Sequence, residues 1–130
     1  NEFVGNYYGP PREPVERAVA NGQDMVIEVD VNGAAQIREK MPEAVSIFIM
    51  PPSFAELKRR LSGRGTESEE LIQKRLASAL GEIKRAVEYD YIVVNKDIAA
   101  AADNIMSVIL SSRLKTDRQT KIIDEVLSEC

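Results

Sequence analysis

Three short runs rich in β-branched residues, "DMVIEVD" (24–30), "VSIFIM" (45–50) and "YDYIVV" (89–94), are separated by stretches whose apolar residues recur every three or four positions. This alternation constrains the fold more than any other feature. Strands joined through helices pair in parallel, because a helical crossover returns the chain to the end it left. The expected class is therefore α/β, a parallel sheet flanked by helices. Gly33 turns the chain after the first run, and a short helix follows with Ile37 and Met41 as its apolar contacts. Pro51 and Pro52 stop the second run, and Ser53 with Glu56 has the spacing of a capping box. Phe54, Leu57 and Leu61 are the expected inward positions of the helix it opens. Thr66 with Glu69 gives a second box. The helix beyond it carries Ile72, Leu76, Ala79 and Ile83 on one apolar stripe. Asn95 closes the third run. A helix over about 97–113 is expected to bury Ile98, Ile105, Val108 and Ile109, and a last amphipathic helix covers about 117–127.

A chain of 130 residues with 44% apolar content suits one domain with a core. No apolar run reaches the roughly 20 residues of a membrane span, and no signal-peptide pattern opens the sequence. Cys130 is the only cysteine, which rules out an intrachain disulfide and suits a reducing, cytoplasmic setting. The lack of histidine excludes Ser-His-Asp and Cys-His catalysis and histidine-bearing zinc sites. A net charge of −4 disfavours nonspecific nucleic-acid binding, so an anionic ligand must be held by local basic groups.

Three places carry candidate chemistry. Glu28 and Asp30 stand two apart, on one face at the carboxyl end of the expected first strand, where open α/β sheets bind ligands; capping of the following turn is the structural alternative. "FVGNYYGPPRE" sets two tyrosines between glycines, which reads either as a strand entering a tight turn or as the wall of a small-ligand site. Lys58 and Arg59 suit a solvated helix C-terminus. Arg64, flanked by Gly63 and Gly65, does not fit that role, while Arg75 lies beside the apolar stripe of its helix. A mobile arginine facing a fixed one is the arrangement phosphoryl transfer requires, since guanidinium forks neutralise charge spread over the transferred group.

The stretches "GNYYG", "EVDVNGA", "SIFIMPPS", "LKRRLSGRGTESEELIQKRL" and "YDYIVVN", in this order and spacing, resemble guanylate kinases over nearly the whole chain, most closely the bacterial ones. The resemblance implies a P-loop NTPase-like fold and transfer of the ATP γ-phosphate to GMP with Mg²⁺. Tyr8 resembles a ligand of the GMP phosphate, Asp30 a partner of the guanine edge, and Glu28 an acid near the metal and substrate phosphates. Pro10 stands at a GMP-side position where the family usually has serine or threonine. Arg64 resembles the lid arginine and Arg75 the helix arginine acting beside it. Arg60 and Asn95 resemble ATP-side groups, with Lys96 replacing the more usual aspartate. No residue is assigned as a metal ligand. The sequence contains no G-x-x-x-x-G-K-[ST], and the family's P-loop, first strand and early GMP-binding arginines would precede Asn1. The expectation is thus a C-terminal portion of a guanylate kinase domain over 1–130, inactive alone. Within it 1–23 end the GMP-binding region, 24–61 are core, 62–88 form the lid and following helix, and 89–130 are core and C-terminal helices. GMP and ATP are the expected partners, without nucleic acid or membrane, and homo-oligomerisation is compatible with the sequence. A non-catalytic guanylate-kinase-like scaffold domain that binds phosphopeptides is the alternative; Arg64, Arg75 and Asp30 favour the enzyme.

Overall fold

The second and third β-branched runs pair in parallel. In the computed structural model, which describes residues 2–3, 6–7, 25–63 and 68–130, they form β3 (Ile47–Met50) and β4 (Tyr91–Val94), after a short antiparallel pair, β1 (Glu2–Phe3) and β2 (Asn6–Tyr7). The parallel register runs from Ile47 opposite Tyr91 to Met50 opposite Val94. Hydrogen bonds continue it at both ends: the Tyr91 N–H donates to the Ser46 carbonyl at 3.1 Å, and the Asn95 N–H to the Met50 carbonyl at 2.8 Å. Parallel strands cannot be joined by a tight turn. Here the connection carries two helices, α2 (Phe54–Ser62) and α3 (Glu69–Lys84), and a 3₁₀ turn at Arg85–Glu88. Preceding β3 is α1 (Val31–Lys40); following β4 are α4 (Ile98–Ser112) and α5 (Thr120–Leu127). The chain divides into two compact units, Asn1–Ala44 and Val45–Cys130.

In the second unit, α2 packs on α3 and α4 packs on β4. Ile72 and Leu76 of α3, Ala86 of the 3₁₀ turn, Val93 of β4 and Ala101 of α4 are buried. Ser112 is buried as well, and its hydroxyl is satisfied by donating to the Ile109 carbonyl at 2.7 Å. The start of the strand pair is held by a reciprocal clamp. The backbone N–H and hydroxyl of Ser46 both donate to Asp90 Oδ2, at 2.9 and 3.2 Å, and the Asp90 N–H donates back to Ser46 Oγ at 3.0 Å. Beside it the Phe48 and Tyr89 rings meet edge to face with centroids 5.2 Å apart, a geometry that matches ring edge to ring face.

Several expectations are corrected. Residues 25–30 form neither strand nor helix, and Met25 and Val26 are exposed. A strand exists through its ladder, and among the described residues of the 1–44 unit this run has no ladder partner. Phe54 and Ile98 are 54% and 82% exposed instead of inward. Each is the first residue of its helix, where the side chain leans back past the helix end and finds no turn beneath it. The helix expected from Thr66 begins at Glu69 with Ser68 as its cap, the Ser68 hydroxyl accepting from the Leu71 N–H at 3.2 Å. That choice places Glu69 and Glu70 in the first turn, where the helix dipole favours acids. The last helix starts at Thr120, later than expected, because a 3₁₀ turn takes up Thr116–Arg118.

Removing the Asp90 carboxylate leaves the Ser46 N–H without its acceptor at the mouth of the sheet. Asp90→Ala is expected to destabilise the protein by about 1–2 kcal/mol, and Asp90→Asn, which keeps an acceptor oxygen, by less. Equilibrium denaturation of the three forms checks the order.

Candidate functional site

Pro51 and Pro52 end β3, since a proline nitrogen cannot donate to the ladder. Ser53 then takes an extended conformation and caps α2, its hydroxyl accepting from the Glu56 N–H at 3.1 Å. In a closed capping box the Glu56 carboxylate would turn back to the cap residue. It is engaged instead by two arginines one turn further along. Arg59 Nε donates to Oε2 at 2.9 Å and Arg59 Nη2 contacts Oε1, which also accepts from Arg60 Nε at 3.1 Å. Arg60 then reaches out of its helix, and its Nη2 donates to the Asn95 carbonyl at 3.0 Å. One guanidinium thus ties α2 to the carboxyl end of β4.

This contact lies on a cleft of about 230 Å³ lined by Ile49, Pro51, Leu57, Arg60, Ala79, Glu82, Ile83 and Asn95. Its location, past the carboxyl ends of parallel strands, is where open α/β sheets take ligands. Apolar walls from the strand and both helices are joined by one guanidinium, one carboxylate and one amide. Such a lining can bury a flat, partly apolar ligand and orient it by a few polar contacts.

Charge is tightly managed at the cleft edge. The Arg59 hydrogen bond is the first cause that holds the Glu56 carboxyl down, from an ordinary 4.5 to about 2; burial opposes the shift, while the Arg59 charge and Arg60 support it. Arg59 is raised reciprocally by its hydrogen bond to Glu56. A carboxyl depressed in the folded state contributes stability above its unfolded value and loses it as pH falls through the folded one. Glu56 therefore remains charged across neutral pH, and its contribution fades only between pH 4.5 and about 2.

Of the expected site residues, Arg60 and Asn95 are brought into direct contact, through the Asn95 backbone. Arg75 is exposed on α3 and precedes Ala79 and Glu82 by four and seven residues, which puts it one to two turns from the cleft along the same helix face. Asp30 caps α1, its carboxylate accepting from the Gly33 N–H at 2.7 Å, as its structural alternative anticipates; Glu28 is exposed. Both belong to the other unit. Tyr8, Pro10 and Arg64 lie outside the described residues. In the sequence Glu56 is marked only by its spacing to Ser53, as a capping partner, and Glu82 by no motif. For Glu56 the missed signal was a pair of arginines three and four residues on, within reach on the same helical face. Among the described residues no three acidic, histidine or cysteine side chains gather as a metal cage, and no helix is long and apolar enough to cross a membrane.

The guanylate kinase family model matches residues 1–112. Over 128 residues the chain is 48% identical to the guanylate kinases of Salmonella typhi and of Escherichia coli strain K12, an alignment covering 98% of this chain and 62% of each relative. A crystal structure of guanylate kinase from Anaplasma phagocytophilum has the same fold, with a TM-score of 0.75 and 39% identity, covering 91% of this chain and 56% of that one. The chain thus spans about three fifths of the length of the curated relatives it matches.

If Arg59 is the main cause of the depressed Glu56 carboxyl, Arg59→Ala should return its titration most of the way towards the ordinary carboxylate range. Arg60→Ala should return it less. A carboxyl-carbon NMR titration of each variant measures both.

Proposed function

The chain belongs to the guanylate kinase family, and on that premise we propose that the protein transfers the γ-phosphoryl group of ATP to GMP, giving ADP and GDP. The observation that carries the reading is the Arg60 bridge to the Asn95 carbonyl at the mouth of the cleft. The two residues whose sequence context resembles the ATP side of the family meet there. In the proposed reaction a GMP phosphate oxygen bonds to the γ-phosphorus while the bond to the bridging oxygen of ADP breaks. Little covalent chemistry is asked of the protein, so its part is to position both nucleotides and to offset charge on the moving group.

Arg60 and Asn95 hold the ATP side in this reading. Tyr8, Glu28 and Asp30 serve GMP, with Pro10 beside them where a hydroxyl is usual. Arg64 and Arg75 meet the phosphates from the lid and from α3. Mg²⁺ would arrive with ATP, coordinated largely by phosphate oxygens and water, as this ion prefers; the described residues form no cage for it. Nothing in the 130 residues supplies a G-x-x-x-x-G-K-[ST] loop to cradle the ATP phosphates. We therefore propose that these residues by themselves do not turn over. GMP and ATP are the small-molecule partners, and a cytoplasmic enzyme without nucleic-acid or membrane partners fits the net charge of −4.

A coupled assay of ADP release by the full-length protein, with GMP, AMP, UMP and dTMP offered in parallel, tests the assignment; release that does not depend on GMP would refute it. In the same assay Arg64→Ala and Arg75→Ala should each lower kcat by roughly 10³-fold or more while changing GMP affinity little, because they act on charge that develops during transfer.

A further inference from the structure

We infer that Glu56 is a positioning residue for ATP, acting through Arg60; the inference rests on the ATP-side role proposed above for Arg60. An arginine side chain is long and rotamer-rich, and ordering it at the moment of binding weakens affinity. Here the ordering is done in advance. Glu56 Oε1 holds Arg60 Nε from one side, on its own helix, while the Asn95 carbonyl holds Nη2 from the other, at the end of β4. Two hydrogen bonds to different elements fix the plane of the guanidinium and leave its other N–H groups and its flat face for the cleft.

Glu56 is itself seated at several points. Its N–H is bound by Ser53 Oγ, and its carboxylate is gripped by Arg59. Arg59 is 70% exposed and lines no part of the cleft, so its contribution is to brace the carboxylate from the solvent side. A carboxylate beside Arg60 also offsets much of that residue's charge. The group presented to the ligand is therefore a fixed donor plane more than a source of positive field. A residue serving only helix stability would be expected to close the capping box instead, where its side chain returns to the cap.

The test is a double-mutant cycle in the full-length protein, read as Kd for ATP by calorimetry and as separate KM values for ATP and GMP. Glu56→Ala is expected to weaken ATP binding by about three- to tenfold, with kcat and the GMP KM essentially unchanged. Glu56→Gln, which keeps an oxygen acceptor for Arg60, should fall between Ala and Glu. On an Arg60→Ala background, Glu56→Ala should add nothing. If Arg60→Ala weakens ATP binding and Glu56→Ala does not, the ATP-side role stands and the positioning role is overturned. Equal losses on both backgrounds overturn it too, as does tighter ATP binding by Glu56→Gln, which would mark the carboxylate as a charge opponent. If Arg60→Ala leaves ATP binding intact, the ATP-side role itself is wrong and the inference falls with it. Should Glu56→Ala fail to fold by circular dichroism, the Gln variant is judged on the same criteria.

Discussion

The parallel pairing of β3 with β4 is the constraint from which the second unit is built. Two strands running the same way must be joined by a long crossover, so α2 and α3 lie between them in sequence and pack on one another. Their placement brings the later part of α2, the last turns of α3 and the ends of both strands to one edge. Every residue of the cleft comes from these four elements or the residues just past the strands. The site is therefore a consequence of strand direction. Had the strands run antiparallel, Pro51 and Asn95 would lie at opposite edges.

Within that frame one carboxylate has two competing uses. Glu56 could return to the N-terminus of its helix or reach forward to two guanidinium groups. Hydrogen bonds between ionised partners are stronger than those to a neutral amide, and Arg59 offers a fork. The forward use prevails, and the lowered titration of Glu56 records it. At an exposed location such pairs add little to stability. Their value lies in restricting where Arg60 can be.

Much of this was legible in the sequence because local chemistry decided it. Ser53 caps α2 as its spacing with Glu56 indicated, the prolines end β3, and Ile72 and Leu76 are buried on the stripe that their periodicity marked. What was misread depended on neighbours that periodicity does not encode. The β-branched run at 24–30 has the composition of a strand, but composition cannot supply a ladder partner. Phe54 and Ile98 fall on the apolar phase of their helices yet sit at the first residue, where phase no longer implies contact. The spacing of Thr66 to Glu69 marked a box, but Ser68 holds the cap, directly before two acids that suit a first helical turn. Glu56 was noticed for its spacing to Ser53, while the competing arginines on its other side went unweighed. Asn95 and Arg60 were assigned by resemblance alone, and their contact through a backbone carbonyl is visible only in three dimensions.

The strand pair is fastened at both ends, by the Ser46–Asp90 clamp at its start and by the Asn95 amide and Arg60 bridge at its finish. Between those fastenings the two segments 46–50 and 90–94 act as matched rulers. One residue inserted into either would displace its far end by about 3.3 Å and turn every later side chain to the opposite face. The crossover is not measured in this way, because its loops can lengthen at only a small entropic cost. Tolerance to insertions and deletions should thus be strict in these two short paired segments, whose lengths decide where Pro51 and the Asn95 carbonyl meet the cleft.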